Sequence, residues 1–195
     1  MEKGTVPFSK KPKKEGDNMN YAGLKECDVA NGPGVRVSLF VSGCNHHCKG
    51  CFNEEAWDFD YGKPFTDEVI DQIIDTMSFG AYRGITFLGG EPLDPKNQSE
   101  VLKTAKRVKE AYPDKDIWLF SGYVYEYITG DMMKECPDLE ELMSLVDVLV
   151  DGPYIEDQRN IMLLFRGSEN QRLIDMNKTR EKGEIVLWER EISRG

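Results

Sequence analysis

The sequence predicts an α/β fold in which parallel strands form an open, partial (β/α) barrel. Short apolar runs rich in β-branched residues alternate with amphipathic helical segments from about residue 35 to residue 150. Such alternation indicates right-handed βαβ units around a parallel sheet. The 195-residue chain has room for roughly four or five of these units, too few to close a barrel of about eight strands.

The first strand of this pattern leads directly into a cysteine-rich segment. Residues 35–42 read V-R-V-S-L-F-V-S, an apolar run that is typical of a strand entering a buried sheet. After the cysteines, Thr66 is the predicted N-cap of a helix whose apolar residues keep helical spacing until Gly80. Ser99 is the predicted cap of the next helix, which Pro113 terminates.

Three further strands are predicted, and each is followed by a glycine-containing segment. Residues 85–88 lead into Gly89-Gly90-Glu91-Pro92, residues 117–120 into Ser121-Gly122, and residues 146–150 into Asp151-Gly152-Pro153. Residues 124–145 are expected to include helix. Ligand groups gather at the C-terminal ends of parallel strands. These segments and the cysteines are therefore expected to lie together at that end of the partial barrel.

The composition indicates one folded domain and disfavours nucleic acid or membrane partners. With 39% hydrophobic and 31% charged residues, the chain has the balance of a soluble protein, and residues 19–195 are expected to form the domain. The net charge of −10 would repel phosphate backbones. No run approaches the roughly 20 apolar residues that cross a bilayer, and no signal peptide is apparent. We therefore expect a cytoplasmic protein, with residues 1–18 as a disordered leader.

The densest candidate site is a group of three cysteines. Cys44, Cys48 and Cys51 have C-x3-C-x2-C spacing, so one tight loop can present three thiolates to a metal centre. On a [4Fe–4S] cluster, three protein ligands leave one iron open to the amino and carboxylate groups of S-adenosylmethionine. The alternative is a zinc site with Cys27, His46 or His47 as the fourth ligand.

A second candidate site follows the strand at residues 85–88. Gly89 and Gly90 would let a ligand approach the backbone closely, and the carboxylate of Glu91 could pair with the ammonium group of S-adenosylmethionine. A plain turn is the alternative reading of the same residues.

Together these sites resemble the radical S-adenosylmethionine superfamily. Four further motifs resemble the activating proteins of anaerobic ribonucleoside-triphosphate reductase more closely, and they occur in the same order: residues 31–36 (N-G-P-G-V-R), 40–44 (F-V-S-G-C), 146–153 (V-D-V-L-V-D-G-P) and 166–172 (R-G-S-E-N-Q-R). The resemblance covers about residues 19–176.

The resemblance implies a partial barrel of the radical S-adenosylmethionine type and an activity. S-adenosylmethionine would be cleaved reductively to methionine and a 5′-deoxyadenosyl radical, which abstracts hydrogen from a glycine of the reductase. The implied partners are the large glycyl-radical subunit of that reductase and a flavodoxin-type electron donor. The chemistry would be supplied by the cofactors, with no catalytic side chain of the protein itself.

The resemblance also implies roles for individual residues. Cys44, Cys48 and Cys51 would be the cluster ligands, and Gly50, Cys51 and Phe52 would contact adenosine. Gly89, Gly90 and Glu91 would bind the methionine end, and Gly32, Pro33, Gly34 and Arg36 would contact the protein substrate. Gly50 departs from the superfamily, which usually has an aromatic residue there, and Phe52 is expected to supply that contact.

Three alternatives remain open at this point. Another glycyl-radical activating enzyme, of the pyruvate formate-lyase type, usually has Asp where this chain has Asn31. A small-molecule radical enzyme would need an enclosed substrate pocket. A non-catalytic zinc-binding adaptor would use the cysteines only to fasten a loop.

Arg36, Arg166 and Arg172 could bind carboxylates or form structural ion pairs.

Overall fold

The fold consists of a single seven-stranded sheet with helices packed against one face. The computed structural model describes residues 19–189, so the predicted leader lies outside the described residues. The strands are β1 Asn20–Asp28, β2 Val35–Val41, β3 Lys63–Pro64, β4 Tyr82–Gly89, β5 Asp116–Phe120, β6 Val148–Asp151 and β7 Arg172–Asp175. The helices are α1 Asp67–Met77, α2 Pro95–Ala111, α3 Tyr125–Tyr127, α4 Met133–Glu135, α5 Pro137–Leu145 and α6 Met176–Lys182.

Shorter helical turns complete the chain. A π-helical turn at Ile128–Met132 joins α3 to α4, and 3-10 turns lie at Glu54–Trp57 and Glu156–Gln158. No helix within residues 19–189 combines the length and the apolar character needed to span a membrane.

The sheet is mixed and does not close into a barrel. Its strand order is β3-β1-β2-β4-β5-β6-β7, with the four central strands β2, β4, β5 and β6 parallel to one another. β1 pairs antiparallel with β2 and β3, and β7 pairs antiparallel with β6. The predicted parallel strands are therefore confirmed at the centre of the sheet, and the antiparallel edge strands β1, β3 and β7 were not predicted. Residues 29–34 between β1 and β2 are too few for a parallel crossover.

Alternation along the strands separates two apolar clusters on opposite faces of the sheet. Val37, Leu39 and Val41 of β2 pack with the helices in the main core. The other face carries a smaller cluster around Trp118, whose indole contacts the rings of Phe165 and Trp188 edge-on. Because side chains alternate in a strand, Ile117 and Leu119 of β5 belong to the main core while Trp118 between them belongs to the smaller cluster.

Helix α2 begins earlier than the sequence indicates. Its N-cap is Asp94, whose side chain accepts a hydrogen bond from the Lys96 N–H, and Pro95 occupies the first helical turn. Ser99 is therefore not the cap, and that prediction is wrong. The polar side chains of Asn97 and Gln98 in its first turns are buried, and they donate hydrogen bonds to the Ser42 and Leu93 carbonyls.

Arg36 lies inside the protein and not on its surface. Its side chain is 0% exposed, and one guanidinium nitrogen lies 2.6 Å from Asp116 Oδ1. The same guanidinium donates to Thr86 Oγ1 at 2.8 Å and to the Ile85 carbonyl at 2.9 Å. A buried charge needs such partners, because an unpaired one is costly to desolvate. The predicted contact between Arg36 and a protein substrate is therefore wrong.

The other two candidate arginines also have partners within the chain. Arg172 donates to Asp151 Oδ1 at 3.0 Å and to Glu126 Oε1 at 2.9 Å, which fastens β7 to the end of β6. Arg166 donates to the Gln171 carbonyl. Both side chains thus hold the segment between β6 and β7 in place.

Candidate active site

The segments after β2 and β4 are joined at the carboxyl edge of the sheet. Val41 and Gly89 are paired in the parallel register of the two strands. Beyond them, the Gly90 N–H donates to the Val41 carbonyl at 2.7 Å and the Glu91 N–H donates to the Gly43 carbonyl at 2.8 Å. The predicted cofactor segment and the start of the cysteine loop are thus brought together, as the sequence predicted.

Gly90→Ala is expected to lower the free energy of unfolding by about 2 kcal/mol. A Cβ at this position would lie 2.5 Å from the Gly43 carbonyl oxygen and 3.0 Å from that of Ala56, so backbone would have to move. Gly130→Ala is the matched control, because a Cβ there meets no atom within 4 Å. Urea unfolding compares the two variants, and equal free energies of unfolding would contradict this close approach.

The cysteine loop is anchored at its start by the turn that follows it. The Gly43 N–H donates to the Ala56 carbonyl at 2.8 Å, and the Cys44 N–H donates to the Trp57 carbonyl at 3.1 Å. Gly43 has a φ of +93°, and a Cβ there would overlap the Phe59 ring. The loop therefore leaves β2 in one fixed direction.

Each of the three cysteine sulfurs faces at least one backbone N–H group. The His46 N–H points to Cys44, the Tyr154 N–H to Cys48, and the Asn53 N–H lies 3.4 Å from Cys51 Sγ. Backbone N–H groups stabilise thiolates and tune the sulfurs of iron–sulfur clusters. All three thiols are free of disulfides. The loop is therefore suited to hold sulfur in its anionic form.

Without a metal, the same environment keeps two of these thiols protonated. Burial, reinforced by the charge of Glu91, raises the pKa of Cys44 to about 12. Burial also raises the pKa of Cys48. Thiolates at these positions need a compensating positive charge, which is what bound metal provides.

The donor set fits an iron–sulfur cluster better than a single zinc ion. Among residues 19–189, no three His, Cys, Asp or Glu side chains converge on a point that could hold one metal ion. Zinc needs all of its sulfur ligands at about 2.3 Å from one ion, whereas each cysteine of a cubane cluster binds a separate iron. Three cysteines on one loop, each with an N–H donor, meet the requirement of the cluster.

The other thiols and the second histidine of the loop do not complete a zinc site. Cys27 is exposed on β1, and Cys136 is buried in the main core at the end of α4. His47 stacks on Trp57 with ring centroids 4.7 Å apart and planes 5° apart. Cys27 and Cys136 therefore lie outside the three-cysteine loop, and the His47 ring is packed on Trp57.

Glu91 is buried and fully engaged by the protein. Its side chain is 1% exposed, and both carboxylate oxygens accept hydrogen bonds from four donors: Leu93 N at 2.9 Å, Ser121 Oγ at 2.9 Å, Gly122 N at 2.8 Å and His46 Nε2 at 2.8 Å. No acceptor position remains for a ligand. The predicted pairing of Glu91 with the ammonium group of S-adenosylmethionine is therefore wrong for the carboxylate.

The pairing of His46 with Glu91 is the site contact that sequence reasoning missed. Burial lowers the pKa of His46, but the hydrogen bond and charge of Glu91, aided by Asp94, outweigh burial and raise it overall. The available signal was that His46 lies between two cysteines after β2, while Glu91 follows β4, the strand next to β2 in the sheet. That signal does not reveal which histidine of the pair turns inward.

A cavity lies beside the third cysteine. It has a volume of about 580 Å³, and its walls include Gly23 and Leu24 of β1, Phe40 of β2, and Cys51 and Phe52 of the loop. This volume suits a small ligand. Phe52 is 96% exposed, so its ring is available for stacking. Two of the three predicted adenosine-contacting residues, Cys51 and Phe52, thus border open space.

Two buried polar atoms beside the loop have no hydrogen-bond partner in the part of the chain that the structure describes. They are Ser42 Oγ, directly after β2, and Trp57 Nε1. Buried donors are rarely left unpaired in native proteins. Both atoms are therefore available to a group that the protein itself does not supply.

The turn at Gly32, Pro33 and Gly34 does not join this site. It precedes β2, whereas the cysteine loop follows the same strand. At about 3.3 Å per residue, the strand between them is roughly 20 Å long. A Cβ on Gly32 would lie 2.8 Å from the Arg36 side chain, so this glycine lets the turn cover the buried guanidinium.

Comparisons with known proteins agree with this geometry. Residues 30–174 match the model of a family described as a 4Fe-4S single cluster domain. Three relatives carry the name anaerobic ribonucleoside-triphosphate reductase-activating protein. The Escherichia coli K12 protein is 39% identical over 78% of this chain and 96% of its own length. The Vibrio cholerae protein is 44% identical over 78% of this chain and 96% of its own length. The phage T4 protein is 41% identical over 80% of this chain and 93% of its own length.

The matched residues 30–174 include the cysteine loop, the ends of β2, β4, β5 and β6, and the segment between β6 and β7. This chain therefore belongs to the family of anaerobic ribonucleoside-triphosphate reductase-activating proteins.

Proposed function

We propose that this protein activates anaerobic ribonucleoside-triphosphate reductase by generating a glycyl radical on its large subunit. When bound, a [4Fe–4S] cluster would supply the electron that cleaves S-adenosylmethionine to methionine and a 5′-deoxyadenosyl radical, which takes hydrogen from the glycine. The observation that carries this proposal is the loop of three cysteines, each with an N–H donor, at the strand ends of a chain 38–44% identical to named activating proteins.

The protein's own contribution is to hold and expose the cluster. Cys44, Cys48 and Cys51 would bind three irons, and the N–H groups of His46, Asn53 and Tyr154 would stabilise the sulfurs. With three cysteine ligands, one iron would have no protein ligand and would be open to S-adenosylmethionine. Because hydrogen bonds to sulfur raise the reduction potential of a cluster, these N–H groups would favour its reduced state.

S-adenosylmethionine would lie between the cluster and the carboxyl edge of the sheet. Gly50, Cys51 and Phe52 would contact the adenosine, and two of them, Cys51 and Phe52, border the cavity beside the third cysteine. The backbone at Gly89 and Gly90 would receive the methionine end, since Glu91 is engaged elsewhere. This arrangement would correspond to the partial barrel of the radical S-adenosylmethionine type.

The macromolecular partners are proposed on the same basis. The relatives' name indicates the reductase as the protein substrate, and a flavodoxin-type donor would supply electrons. Gly32, Pro33 and Gly34 remain proposed contacts with the reductase, at the end of β2 away from the cluster. A reducing cytoplasm suits the protein, because all five of its cysteines are free thiols.

Anaerobic reconstitution tests this function. The protein is loaded with iron and sulfide, reduced with dithionite and incubated with S-adenosylmethionine, and products are separated by chromatography. We expect about four irons and four sulfides per chain and equal amounts of methionine and 5′-deoxyadenosine. Zinc in place of iron and sulfide, or a loaded cluster that yields no 5′-deoxyadenosine, would contradict the proposal.

A further inference from the structure

The imidazole of His46 is clamped by residues that follow β4 and β5. Its side chain is 8% exposed, and Nε2 lies 2.8 Å from Glu91 Oε2. The ring meets Tyr123 at a centroid distance of 4.4 Å and an angle of 65°. A Cβ on Gly122 would lie 2.5 Å from His46 Cδ2, so the ring sits directly on that glycine. The imidazole therefore has one defined position.

The clamp is centred on one carboxylate that connects three strand ends. Glu91 follows β4, and its Oε1 accepts from Ser121 Oγ while its Oε2 accepts from the Gly122 N–H, both after β5. His46 brings in the loop after β2. Hydrogen bonds to a buried carboxylate are stronger than neutral ones, so these contacts fix the relative positions of the three segments.

A second contact supports the same part of the loop. Asn45 Nδ2 donates to Asp94 Oδ2 at 2.8 Å, and Asp94 caps α2. Asn45 and His46 are consecutive and lie between the first two cysteines. The loop is thus held against the connection between β4 and α2 by two adjacent side chains.

We propose that His46 is a positioning residue whose hydrogen bond to Glu91 sets the orientation of the cysteine loop toward Gly89 and Gly90. The loop would hold the cluster with its open iron, and the backbone of the two glycines would receive the methionine end of S-adenosylmethionine. S-adenosylmethionine must span both, so the tilt of the loop determines how well the two halves of its site match. This inference rests on the proposed function. It assigns the Glu91 carboxylate to holding His46 in place and not to binding S-adenosylmethionine.

The test compares variants of the reconstituted protein by their affinity for S-adenosylmethionine. His46→Ala removes the hydrogen bond and should weaken binding about tenfold per loaded cluster. His46→Gln keeps an N–H donor at a similar reach and should restore affinity to within about threefold. His47→Asn is the matched control, because it alters the neighbouring histidine, which does not contact Glu91, and Asn tolerates its φ of +48°.

A spectroscopic readout separates positioning from general damage. The electron paramagnetic resonance spectrum of the reduced cluster should change on addition of S-adenosylmethionine in the wild-type, His46→Gln and His47→Asn proteins. That change should be diminished in His46→Ala at equal iron and sulfide content. Gly122→Ala, which displaces the ring without altering the loop sequence, should reproduce the His46→Ala result even if His46→Ala fails to fold.

Several outcomes would overturn the inference. Wild-type affinity and spectra in His46→Ala or Gly122→Ala would show that the clamp does not position the loop. Failure of His46→Gln to restore affinity would show that the hydrogen bond is not responsible. A wild-type protein that loads its cluster but does not cleave S-adenosylmethionine would instead refute the proposed function, so the two failures are distinguishable.

Discussion

Cys51→Ala is expected to reduce formation of 5′-deoxyadenosine to background. Cys51 is one of three sulfurs on the loop, and its backbone N–H donates to the Cys48 carbonyl at 3.0 Å, so it closes the turn that gathers the ligands. With two cysteines left, a cubane cluster has two irons without protein ligands, and it should be lost or degraded. The measurement is 5′-deoxyadenosine per chain after anaerobic reconstitution, with iron and sulfide determined on the same sample.

Cys27→Ala is the matched control for this variant. It removes a thiol of the same chain, but Cys27 is exposed on β1 and lies outside the loop. The control should keep wild-type iron, sulfide and product. Normal product formation by Cys51→Ala would exclude Cys51 as a ligand, and equal loss in Cys27→Ala would mean that thiol number, not the loop, determines loading.

Arg36→Ala is expected to lower the free energy of unfolding by about 3–5 kcal/mol. The substitution leaves Asp116 without its closest partner, and it also removes the donors that serve Thr86 Oγ1 and the Ile85 carbonyl. Asp116 is 19% exposed and keeps its pair with Arg83, so much of the loss comes from the space left by the fully buried Arg36 side chain and from the hydrogen bonds that it made. Chemical denaturation of the protein measures the change.

Arg83→Ala is the control, because Arg83 pairs with the same aspartate from the surface. Its Nε lies 3.1 Å from Asp116 Oδ2, and its side chain is 66% exposed. An exposed ion pair contributes at most about 1 kcal/mol, so this variant should be close to wild type. Equal destabilisation by the two substitutions would contradict the view that burial makes Arg36 structural.

The central strands could be predicted from sequence because their signals are local. β2, β4, β5 and β6 are apolar, rich in β-branched residues and followed by glycine or serine. The edge strands lack such signals. β3 has two residues and β7 has four, and β1 contains Gly23 and exposed charged side chains. Their pairing is decided by tertiary context, which outweighs strand propensity in short segments.

The candidate site was predictable in its location but not in its internal contacts. Parallel strand ends converge at one edge of a sheet, so the cysteines and Gly89-Gly90 could be placed together from the strand order. A sequence gives the donors and acceptors but not which of them pair. Glu91 meets His46 and Ser121 across 45 and 30 positions, and Arg36 meets Thr86 across 50. These distant pairings turn an expected ligand and an expected surface arginine into structural residues.

The most direct test of the central claim is electron paramagnetic resonance on the reductase itself. The reconstituted protein, S-adenosylmethionine, a reductant and the large reductase subunit are mixed without oxygen and frozen. We predict an organic radical signal that requires every component, with a doublet splitting that collapses when the reductase carries α-deuterated glycine. Formation of 5′-deoxyadenosine without any radical on the reductase would contradict the claim.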